Sequence, residues 1–103
     1  MNDFQKTDVF RKWIKRLKDV KATARINERI RLAEQGDFGD CKWNISEGIS
    51  ELRIHYGPGY RVYFCQRDKL IYWLLIAGIK KSQERDLNRA KEIKRELEKE
   101  DLW

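Results

Sequence analysis

ISELRIHYGPGYRVYF, residues 49–64, alternates apolar and polar side chains on both sides of Gly57-Pro58-Gly59. That is the period of two half-buried strands folded back on each other. Leu52 and Ile54 point one way in the first arm, and Glu51, Arg53 and His55 the other. Val62 and Phe64 share the apolar face of the second arm, and Arg61 and Tyr63 share its polar face. A three-residue Gly-Pro-Gly loop sets His55 against Arg61 and Arg53 against Tyr63. One sheet face then holds two arginines, a histidine and a phenol as neighbours, a costly grouping that an anionic ligand would relieve.

Downstream, Gln66–Lys69 reads as a polar turn. Residues 70–77, LIYWLLIA, are apolar on both faces, as in a strand covered from each side. Running back beside Arg61–Cys65, this strand brings its far end to the Gly-Pro-Gly turn. Gly78 then releases the chain, and Lys80 and Lys81 emerge next to His55 and Arg61. Ser82 caps a final helix with Leu87, Ala90, Ile93 or Lys94, and Leu97 along one side; its remaining residues alternate Glu with Lys and Arg, a solvated face. The terminal Leu102-Trp103 is an exposed apolar end unless it folds back or meets a partner.

Upstream, residues 1–6 can add a short edge strand. Thr7-Asp8 begins a helix in which Phe10, Trp13, Ile14 and Leu17 recur at helical spacing between basic residues. A second helix runs from about Val20 to Gln35, with Ala22, Ile26, Ile30 and Ala33 on one stripe and Gly36 as its stop. A short link at Asp19 makes the pair a helical hairpin. Residues 36–48 are turn-rich, with Trp43 and Ile45 pinning a short strand or loop to the core.

A chain of 103 residues suits one domain with a modest core. The net charge of +6 favours a polyanionic partner. No stretch has the length of a bilayer span and the start lacks a hydrophobic signal core, so we expect a cytoplasmic protein with no membrane partner. Cys41, Cys65 and the single His55 lack the number and spacing of a metal set, so no metal or other cofactor is expected, and both thiols read as free.

The candidate site therefore joins Arg53, Arg61, Lys80 and Lys81 with His55, Tyr63 and Gln83. Guanidinium forks suit a phosphate, and lysines add movable charge. Such a group can cleave RNA without metal. A base takes the 2′-hydroxyl proton, cations stabilise the phosphorane, and an acid protonates the leaving 5′-oxygen. His55 has a suitable ordinary pKa for the proton work, a crowded lysine is the competing base, and Tyr63 can stack on a base or donate a proton. Singly, each residue has a plainer role: Arg53 can pair with Glu51, His55 can lie on the surface, and Tyr63 can fill space. Convergence at one edge is what carries weight.

The runs ELRIHYGPGYRVYF, AGIKKSQ and RDLNRAKEI resemble the addiction-module killer proteins of the RelE/ParE toxin superfamily, in its phage-derived, HigB-like branch. Phe38-Gly39-Asp40, the Phe10-x-x-Trp13 helix and the Lys80, Gln83, Asp86 pattern agree. The resemblance implies an α+β fold: an N-terminal helical hairpin on a twisted, mainly antiparallel sheet of three to five strands, with a C-terminal helix. It implies a toxin of a toxin–antitoxin pair, with a cognate antitoxin carrying a helix-turn-helix domain, and the ribosome and mRNA as targets of an endoribonuclease. The gyrase-poisoning branch, and an inactive antitoxin-binding module, are the alternatives. By position, Arg61 matches the family's phosphate-contacting arginine, Lys81 its basic residue after the last strand, and Arg53 its basic strand before the turn. The family's C-terminal tyrosine has no equivalent here, Leu87 occupying that region. Its usual Gly-Gly-Asp before the lysine reads Ala77-Gly78-Ile79.

Overall fold

The computed structural model describes residues 1–100 and Trp103. Its elements run β1 (Asp3–Lys6), α1 (Asp8–Arg16), α2 (Val20–Glu34), β2 (Cys41–Ser46), β3 (Ile49–Ile54), β4 (Tyr60–Gln66) and β5 (Ile71–Ile79). A 3-10 turn (Lys80–Ser82) then leads into α3 (Gln83–Lys99). The five strands form one sheet in the order β1-β5-β4-β3-β2, with β1 parallel to β5 and the other neighbours antiparallel. This is the expected α+β architecture. No helix among the described residues is long and apolar enough to cross a membrane.

Both faces of the sheet are covered, because the strands carry apolar side chains on each. Phe10, Ala22, Ile26 and Ile30 of the first two helices meet Leu52, Ile54, Val62, Phe64 and Leu74 on one face. On the other, Ala90 and Ile93 of α3 meet Ile49, Tyr63, Cys65 and Leu75. A bulge in β5 serves both cores: Tyr63 pairs with Ile76 and Phe64 with Leu74, so Leu75 is the extra residue, and it is wholly buried. Thr7 fixes α1 to that bulge. Its hydroxyl donates to Leu75 O at 2.7 Å and accepts from Phe10 N at 3.0 Å.

The hairpin register differs from the expected one. Arg53 faces Arg61 and Ile54 faces Tyr60, so the loop is His55–Gly59, longer than Gly-Pro-Gly alone. Tyr56 is the cause. Its ring joins the first core beneath the Arg25 guanidinium, 4.5 Å from the ring centre, and its carbonyl accepts from Gly59 N at 3.0 Å. With Tyr56 drawn inward, the ladder ends two residues early, and Gly57 and Gly59 supply the positive φ values (55° and 77°) that close the turn.

One further expectation changes. Gly78 does not release the chain: it pairs with Arg61 inside β5, which continues to Ile79. At the end of the chain, Leu102 lies outside the described residues. Trp103 is half-buried against the second core, its carbonyl 3.4 Å from Trp73 Nε1 and its ring 5.6 Å from Lys94 Nζ, so it folds back, one of the two outcomes expected for it.

Candidate anion-binding site

Strand alternation puts Glu51 and Arg53 of β3 and Arg61 and Tyr63 of β4 on one face, where the register aligns Glu51 with Tyr63 and Arg53 with Arg61. Lys42 of β2 lies across from Glu51. The first turn of α3 closes the other side with Gln83 and Glu84, leaving an open cleft of about 450 Å³.

Glu51 is the hub. One carboxylate oxygen accepts from Arg53 Nε at 3.2 Å, and the other is 3.8 Å from Arg61 Nε. Arg61 also donates from Nε to Gln83 Oε1 at 3.1 Å, and Tyr63 OH lies 3.4 Å from Gln83 O. Glu51 and Arg61 are 5% and 7% exposed, so they form the floor of the cleft, while Arg53 is more open. Burial first, then the Glu51 and Asp86 anions, push the Tyr63 phenol well above its usual range, with Arg61 opposing them; Tyr63 therefore stays protonated at neutral pH.

Of the seven residues expected to meet, Arg53, Arg61, Tyr63 and Gln83 share this cleft. Lys80 and Lys81 lie on the adjoining 3-10 turn. Lys80 N donates to Gly59 O at 2.6 Å, and Lys81 lines the neighbouring groove with Arg85 and Arg89, which Glu84 separates from the arginine cleft. His55 is not beside Arg61. The longer loop turns it outward, and its Nε2 pairs with the Asp40 carboxylate, with 71% of the imidazole side chain exposed. The His55 hydrogen bond, opposed by slight burial, holds the Asp40 carboxyl below its ordinary range.

Sequence reasoning treated Glu51 only as a plain partner for Arg53, and it passed over Lys42 and Glu84. The alternation of ELRI already placed Glu51 on the face of both arginines, so that signal was present. Lys42 required the β2–β3 register, which a stretch of turn residues conceals.

No family model matches the chain. An uncharacterized protein of Haemophilus influenzae is 42% identical over 91 residues, an alignment covering 88% of this chain and 91% of that protein.

Proposed function

We propose that this chain, which belongs to one family with that uncharacterized Haemophilus influenzae protein, is a cytoplasmic toxin that cuts mRNA on the ribosome and is restrained by a cognate antitoxin. The observation that carries this reading is the pair of cross-strand arginines bridged by Glu51 at the floor of an open cleft. Two guanidinium groups facing one another repel, and a single carboxylate leaves donors over for a phosphate. The scissile phosphate would sit above Arg61 and Arg53, and Lys42 would add charge to a pentavalent phosphorane. Glu51 faces both arginines and is in place to take the 2′-hydroxyl proton as the phosphate displaces it from them. The protonated Tyr63 phenol, which lines the same cleft, is the candidate acid, and Lys81 at the neighbouring groove supports the flanking backbone. His55, outside the cleft, has no part in the proton transfer.

One observation favours the gyrase-type, binding-only alternative: Arg61 is only 7% exposed and its charge is already met by Glu51. Purified protein offered translating ribosomes, and separately DNA gyrase, separates the two. The nuclease reading expects cut mRNA, normal supercoiling, and a loss of about 100-fold or more in cleavage for Arg61→Lys, which keeps charge but loses the planar fork. Intact mRNA with blocked supercoiling supports the alternative.

A further inference from the structure

Gly78, Ser82, Gln83 and Asp86 form one connected device at the start of α3. The other two helices begin with a side chain bonded to their own backbone: Thr7 accepts from Phe10 N, and Asp19 accepts from Ala22 N at 3.1 Å. Ser82 stands at the N-cap of α3 and makes no such bond. Its hydroxyl lies 2.5 Å from Asp86 Oδ2 and 3.2 Å from Ile79 O, and the much shorter contact makes Asp86 the principal acceptor. Asp86 is 6% exposed, an uncommon state for a carboxylate on an amphipathic helix, and its only ion-pair partner among the described residues is the exposed Arg85, at 3.7 Å.

The carboxylate sits where it does because residue 78 has no side chain. A Cβ there would lie 2.7 Å from Asp86 Cγ and closer still to Oδ2, so Asp86 rests directly on the β5 backbone. Gly78 is the residue that faces Arg61 across the ladder. The same first turn of α3 carries Gln83, whose side chain accepts from Arg61 and whose carbonyl meets Tyr63 OH. Gly78 thus touches Asp86 on one side and pairs with Arg61 on the other.

We propose that Asp86 is a positioning residue for the arginine cleft. Seated on Gly78 and holding Ser82, it sets the height and rotation of the first turn of α3, so that Gln83 orients the Arg61 guanidinium. The inference rests on the cleft being a phosphate site, but Asp86 itself touches no substrate. It also accounts for Ser82 forgoing the capping bond that Thr7 and Asp19 make, since the hydroxyl is committed to fixing the turn.

The test reads Arg61 directly. In 15N spectra of the full chain, the Arg61 side-chain Nε–H reports its bond to Gln83. Binding to ribosomes programmed with an mRNA that carries a 2′-deoxy residue at the cut site, which cannot be cleaved, reports on the phosphate site. Ser82→Ala and Asp86→Ala are expected to shift or broaden the Arg61 signal and weaken ribosome binding by about tenfold, the scale of one lost hydrogen bond. Ser82→Thr, which keeps the hydroxyl, is expected to retain both. Gly78→Ala is expected to destabilise the chain by collision. Gly78→Ala combined with Asp86→Ala is expected to recover the melting temperature without recovering the Arg61 signal. An Arg61 signal unchanged in Asp86→Ala, or restored in the double variant, overturns the proposal. A signal that moves as expected in a protein whose wild type does not bind the programmed ribosomes upholds the positioning role and counts against the phosphate site instead.

Discussion

Glu51 shows how much a single residue depends on its surroundings. Alone in a strand it is a surface acid, but between two arginines and beneath Gln83 it is a buried, paired carboxylate. Replacing Arg61 with Ala strips one partner from it, a loss of about 3–5 kcal/mol when buried pairs are broken. Arg61→Ala is therefore expected to lower the melting temperature clearly, and Arg61→Lys far less, as read by thermal unfolding. The cysteines make a second residue-scale case. Burial pushes the Cys65 thiol up to about 12 and the Cys41 thiol up to about 11. A folded-state pKa above the unfolded one gives stability that is whole below the ordinary thiol value and lost as pH rises through the shifted one. Alkylation at about pH 8 should therefore be slow at Cys65 and faster at the half-buried Cys41, and Cys65→Ala should flatten part of the alkaline fall in melting temperature. Equal, rapid labelling of both thiols would refute this.

Among the elements, β5 carries the most: it pairs with β1 and β4 and feeds both cores. Leu75, the bulge residue, is fully buried under α3, so Leu75→Ala should cost about 2–5 kcal/mol of unfolding free energy in denaturant titrations. The strands and helices were legible in sequence because hydrophobic period is local: the Thr7 cap and the stripe Ala22, Ile26, Ile30, Ala33 behave as expected, whereas Asp19, read only as a link, caps α2, and Ser82, expected to cap α3, stands at its N-cap without bonding the helix backbone. The hairpin register was not legible. It turns on whether His55 or Gly57 opens the loop, and that choice is made by the seating of Tyr56 in the first core and under Arg25, both distant in sequence. His55 followed the register outward. Its partner Asp40 is reached because Arg29, bonded to the carbonyls of Phe38, Asp40 and Arg53, holds the preceding loop against β3. The second cover on the sheet was also misjudged: alternation marked the Arg61–Tyr63 face polar, yet α3 buries most of it.

At the scale of the whole molecule, the net charge of +6 is distributed unevenly. The arginine cleft is nearly balanced internally, while Lys12, Arg16, Arg85 and Arg89 line the groove between α1 and α3, where Asp86 is the one acid among the lining residues. Long-range attraction to RNA would then come largely from the groove and be screened by salt, whereas chemistry would depend on the cleft. Raising salt should weaken ribosome association in sedimentation, and Arg85→Glu with Arg89→Glu should reduce that salt dependence while sparing the fold. The most direct measurement is a map of mRNA 5′ ends after induction of the wild-type chain and of Arg61→Lys, with translation running and with initiation blocked. New ends inside coding regions, present only with the wild type and only during translation, are the predicted result. An unchanged transcript population in cells that nonetheless stop growing would contradict an RNA-cutting cleft.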